Sequence, residues 1–128
     1  MNRKQKAAAI AAIKKDGALC GGELINGKVP GCAHAGRCAV GALLFHGGMT
    51  NAELKELPSG VDKVFSWTPP LSKRKVWNKA KRILEHRYGL GEAQVIDLIC
   101  TNDNRIGENS LATWRARARH VLSYIRKM

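Results

Sequence analysis

Acidic residues are scarce in this chain. Ten Asp and Glu stand against 22 Lys and Arg, a formal net charge of +12 over 128 residues. That excess goes far beyond what solubility asks of a small domain and points to a polyanionic partner: nucleic acid or an acidic protein face. Aromatic residues are few as well, with three Trp, two Tyr and two Phe, so the core is expected to be mainly Ala, Ile, Leu and Val. No apolar run approaches the ~20 residues of a membrane span, which predicts no membrane partner. Met1 to Ile13 has a basic start and an alanine-rich stretch, but Lys14-Lys15-Asp16 follows at once, the pattern of an ordinary helix rather than an export signal. A cytoplasmic location follows as the expectation. There Cys20, Cys32, Cys38 and Cys100 are thiols or ligands rather than a disulfide framework.

Periodicity predicts a mainly α fold of five to six helices with one short β-hairpin, in one small α or α+β domain over 1–128. Within it lie an N-terminal helix (1–16), a Cys-containing hairpin, loop and helix (18–49), and a basic helical part (72–128). Asn2 can cap the first helix and Gly17 can end it. Leu19 to Val29 reads as a hairpin turning at Asn26-Gly27, and Gly31 to Arg37 as loop. A second helix starts at Cys38 and stops at Gly47-Gly48. Thr50 and Glu53 have capping-box spacing for a short third helix. The fourth helix is expected from Ser72 to Arg87, with Val76, Trp77, Ala80, Ile83, Leu84 and Tyr88 on one apolar face. A fifth should end at Cys100, followed by a polar loop from Thr101 to Asn109. The last runs from Ser110, with Leu111, Trp114, Ala118, Val121, Leu122 and Ile125 facing inward.

Charge concentrates on two of these helices. Residues 72–87 hold seven cations and one acid, and residues 110–128 hold five cations and no acid. Lys75, Lys79, Arg82 and His86 fall within ~60° of one another at 100° per residue. Arg115, Arg119 and Arg126 line up beside the apolar stripe of the last helix. Together these lysines and arginines are the expected nucleic-acid or anion-binding residues, and Trp67, in a Pro-rich stretch, is the one aromatic placed to stack or meet a partner. The turn at Tyr88-Gly89-Leu90 suits a helix-turn-helix, but the helix after it is acidic and apolar, which disfavours groove reading because phosphate would repel it. A calcium loop at Asn102 fails on Ile106 and Thr113, and no glycine-rich phosphate loop is present.

Two further chemistries are legible. Cys20, Cys32, His34 and Cys38 are four potential zinc ligands, spaced C-x11-C-x-H-x3-C rather than with the usual close pairs. They define a zinc-stabilised module as one alternative; otherwise no cofactor is expected. Cys38 sits at a helix start, where partial positive charge and the adjacent Arg37 would lower a thiol pKa. With His34 as base and Asn102 or Asp103 as orienter it defines the other alternative, a cysteine-dependent hydrolase or transferase.

The order of the motifs resembles a family of small uncharacterised actinobacterial and phage proteins with Trp-Cys-x-Gly, Cys-Ala-[Leu/Ile]-Gly-Ala-Leu and Asn-Asp segments. Here these are Leu19-Cys20-Gly21-Gly22, with Leu in place of Trp, then Cys38-Ala39-Val40-Gly41-Ala42-Leu43, and Asn102-Asp103. The resemblance implies that Cys20, Cys38, Asn102 and Asp103 form one constellation, with the Asn-Asp pair bonding backbone groups near the Cys38 helix start. It also implies a phage or mobile-element origin and an accessory role on host machinery. It carries no activity.

Overall fold

Side-chain caps set the helix starts. Asn2 Oδ1 accepts from Gln5 N (2.8 Å) and Gln5 Oε1 accepts from Asn2 N (2.9 Å), opening α1 (Arg3–Asp16), which Gly17 closes in the left-handed region at φ 75°. Thr50 and Glu53 make the same reciprocal pair at the start of the short α3 (Asn51–Glu56). Cys38 caps α2 (Ala39–His46) with its sulfur, and Ser110 caps α6 (Leu111–Lys127) with its hydroxyl. The computed structural model describes residues 1–21, 24–28, 35–58, 68–103 and 110–128. It is mainly helical, as the periodicity predicts.

Three expected boundaries move. The strands are β1 (Ile25–Lys28) and β2 (Ala35–Arg37), antiparallel with Ile25 opposite Arg37 and Asn26 opposite Gly36. Asn26-Gly27 therefore lies within a strand rather than at the turn, and residues 35–37, expected as loop, are strand. The reason is tertiary. Arg37 is held on its other edge by a parallel bridge to Leu19, and its carbonyl accepts from Cys20 N at 2.9 Å. Gly36 lies so close under the Trp114 ring that a Cβ there would overlap it.

The expected fourth helix is broken into a 3-10 turn (Leu71–Lys73), α4 (Arg74–Arg82) and a π-helical turn (Ile83–Arg87). The wider turn buries Ile83, Leu84 and Tyr88 together, and Leu90 N closes it on Leu84 O at 2.8 Å. Trp77 is only half-buried, with the Lys81 ammonium 4.5 Å above its ring. Finally, α5 (Glu92–Asp103) continues past Cys100, so Asn102 and Asp103 are helical rather than in a loop.

The core sits among α1, α2, α5 and α6. α1 packs on α2 and α6, and α5 packs on the same two helices. α2 is the inner element: Ala39, Val40, Gly41, Ala42, Leu43 and Leu44 are all buried. Trp114, Leu84, Leu122 and Ile125 are buried as their spacing predicts. α1 and α6 run antiparallel. Leu19 N, just beyond α1, donates to Trp114 O near the start of α6, and Lys6 Nζ donates to the Arg126 and Met128 carbonyls at its end. Among the described residues no helix is long and apolar enough to cross a membrane.

Candidate functional site

Cys20, Cys38, Asn102 and Asp103 meet at the start of α2. Asn102 is 1% exposed. Its Oδ1 accepts from Ala39 N at 3.0 Å, and its Nδ2 donates to Cys20 O and to Asp103 Oδ1, each at 2.9 Å. The side chain thus closes one orphan N–H of α2 and one carbonyl of the segment after α1. Both Nδ2 hydrogens and one Oδ1 lone pair are used in these contacts, which fix the amide at the start of α2.

The thiol at this point is not an activated nucleophile. Burial pushes the Cys38 pKa up to about 11, and the Asp103 charge adds to the rise. The N–H groups of Gly41 and Val40 pull it down, as expected of a helix start, but burial outweighs them. The anticipated help from Arg37 is absent because its guanidinium is directed to Asp16 and Asn51. A thiol unfolded in water ionises near ~8.5. The stability tied to this raised pKa is therefore complete below that value and is lost as pH rises toward 11. Unfolding free energy should fall by about 1.4 kcal/mol per pH unit across that window, and Cys38→Ser, which keeps a cap but does not ionise, should flatten the decline. In the native protein at neutral pH a thiol reagent should label exposed Cys100 and spare buried Cys20 and Cys38.

Of the proposed zinc ligands, Cys32 and His34 lie outside the described residues, as does Trp67. Among the described residues no group of three or more His, Cys, Asp or Glu is placed to hold a metal.

The expected basic patch divides. Lys75 and Arg82 are exposed on α4, but Lys79 is engaged, its ammonium 3.1 and 3.2 Å from the two Glu53 oxygens. That contact helps to hold the Glu53 carboxyl below its usual range, after the Thr50 N–H. α4 packs against its flanking turns, whereas α6 packs against α1 and α5. The cationic partner of α6 is therefore α1. Arg3 and Lys14 are exposed and share a sector of ~80° with Lys6, the residue that touches the end of α6. Arg115, Arg119 and Arg126 are exposed within ~40° of one another. They lie ~140–180° around α6 from Tyr124, which meets Asp97 of α5. Hence the arginine stripe borders α1, and Asp97, exposed on α5, lies on the other flank. α6 holds no acid at all.

The single acid of α1, Asp16, is turned inward. Its side chain is 3% exposed. One oxygen accepts from Arg37 Nε (3.0 Å) and Arg37 Nη2 (2.8 Å) and contacts His46 Nε2 (3.0 Å). Arg37 also donates to Asn51 Oδ1 at 2.9 Å and stacks 3.8 Å over the Phe45 ring. This node ties together the end of α1, β2, the end of α2 and the start of α3. Beside it a half-open cleft of about 200 Å3 is lined by Lys15, His46, Arg87, Tyr88 and three alanines of α1.

Sequence reasoning missed Asp16, His46 and the basic flank of α1. The available signal was that Asp16 is the first acid of the chain and follows five cations. No family model, no curated protein and no solved structure matches this chain.

Proposed function

We propose that this protein is a small, non-enzymatic binding protein that engages nucleic acid through the antiparallel α1/α6 face. The supporting observation is the exposed cluster of Arg3, Lys14, Arg115, Arg119 and Arg126 on two adjoining helices. α6 has no acid, and the one acid of α1 is occupied by Arg37 and His46. Exposed cations grouped in this way can neutralise several phosphates at once, and affinity then comes from counterion release rather than base reading. A cytoplasmic accessory role, of the kind a phage or mobile element would encode, agrees with this reading. A Cys38 hydrolase is disfavoured by the protonated, buried thiol.

Binding to a duplex DNA should weaken steeply with salt. If three or four of these cations engage phosphate, the slope of log affinity against log salt should be about −3 to −4. The double variant Arg115→Ala/Arg119→Ala should make that slope shallower by about 2 without unfolding the chain, since both side chains are exposed. Lys75→Ala/Arg82→Ala, on the separate α4 surface, should change it little. No measurable binding to DNA or RNA at low salt would reject the reading and make an acidic protein the first partner to test. Binding that ignores salt would show that phosphate contact is not its source.

A further inference from the structure

On the opposite flank of α1 from α6, we infer that the cleft between α1, the end of α2 and the π-helical turn is a binding site for a phosphate group. Ala8, Ala11 and Ala12 give the lining its small apolar part, and Tyr88 completes it beside the polar residues. The Tyr88 hydroxyl is not available to a ligand, because it donates to Leu43 O at 2.6 Å. The polar groups of the lining are Lys15, His46 and Arg87. Lys15 and Arg87 are exposed, with the Arg87 guanidinium 5.9 Å from the centre of the Tyr88 ring, whereas His46 is fixed by Asp16 through Nε2.

Charge decides the class of ligand. Among the described residues no carboxylate is in the lining, and Asp16, which touches the lining residue His46, is also held by Arg37. The C-terminal ends of α1 and α2 each contribute roughly half a negative charge. Lys15 and Arg87 outweigh them by about one unit before His46 is counted, so the opening attracts anions. Size narrows the class further: about 200 Å3 is less than the ~300 Å3 at which sites for drug-sized ligands begin. A compact oxyanion fits, and a guanidinium beside an ammonium suits phosphate. The phosphate can be inorganic, or it can be the 5′-terminal phosphate of an oligonucleotide whose backbone lies along α1. The first source does not depend on the nucleic-acid reading.

The test is titration of the full chain with inorganic phosphate at constant ionic strength, following the four histidines by NMR. The His46 ring signals should shift and saturate, while those of His86 and His120 should not follow the same curve. Arg87→Gln and Lys15→Gln, both at exposed positions, should each weaken phosphate binding by about ten- to a hundredfold with the folded spectrum retained. In a second arm, a 5′-phosphorylated oligonucleotide is compared with its 5′-hydroxyl counterpart. Tighter binding of the phosphorylated form, lost in Arg87→Gln, assigns the site to a nucleic-acid end. Saturation by inorganic phosphate with no preference between the two ends assigns it to a small free anion. If phosphate leaves His46 unmoved, or all four histidines drift together without saturation, and the oligonucleotides bind alike, the site does not exist. Loss of salt-dependent DNA binding alone would overturn the α1/α6 reading and leave this one standing.

Discussion

Replacing Asp16 with alanine should lower the unfolding free energy by about 3–5 kcal/mol, the usual cost of stranding one member of a buried ion pair. Small domains are stable by about 5–15 kcal/mol in all, so the variant should sit near the edge of folding. The reason is the position of Arg37. Its side chain is 11% exposed, and among the described residues it keeps, without Asp16, the Asn51 amide and the Phe45 ring as partners. An acid at the end of a helix is also unfavourable for the helix dipole. Asp16 is thus held there by its contacts, not by local preference. The double variant Asp16→Ala/Arg37→Met should recover much of the loss, because removing both charges leaves neither one buried and unpaired. Urea unfolding measures this as a shift in midpoint at unchanged slope. A loss under about 1 kcal/mol for Asp16→Ala would mean that the node behaves as a solvated surface pair.

Asn102→Ala should cost about 2–4 kcal/mol. It removes two buried hydrogen bonds, from the Ala39 N–H to Oδ1 and from Nδ2 to the Cys20 carbonyl, and losing a side chain that satisfies buried backbone groups costs at least about 1 kcal/mol for each bond. Asn102→Asp should recover only part. A carboxylate suits the N–H at the start of α2, but it cannot donate to Cys20 O and it stands next to Asp103. The loosened start of α2 should also let a thiol reagent reach Cys38 in the native state, a readout independent of denaturation. An Asn102→Ala protein within 0.5 kcal/mol of the parent, with Cys38 still protected, would show that the amide is not what joins α5 to α2.

These two nodes mark where sequence reading succeeds and where it stops. Asn2 with Gln5, Thr50 with Glu53, and Ser110 with Thr113 are pairs three residues apart, so their chemistry is complete within one helical turn. The same holds for the apolar stripe of α6. The juxtaposition of Asn102 with Cys38 was legible through motif order, although its placement in a helix was not. Asp16 and Arg37 are 21 residues apart, and Asn102 and Ala39 are 63 apart. No local pattern specifies such contacts.

By itself the sequence determined the helical class, the capped starts of α1, α2, α3 and α6, the buried faces of α2 and α6, and the excess of positive charge, because each depends on spacing within a turn or on composition. Only the tertiary structure decided the rest. It set the strand register, because Leu19 and Trp114 hold β2 from elsewhere in the chain. It reversed the expected shift of Cys38, because burial by distant elements outweighs the helix start. It also chose which basic helices adjoin, because α1 rather than α4 shares an apolar boundary with α6. Charge is carried by single residues, but a charged surface exists only once packing has decided which helices lie side by side.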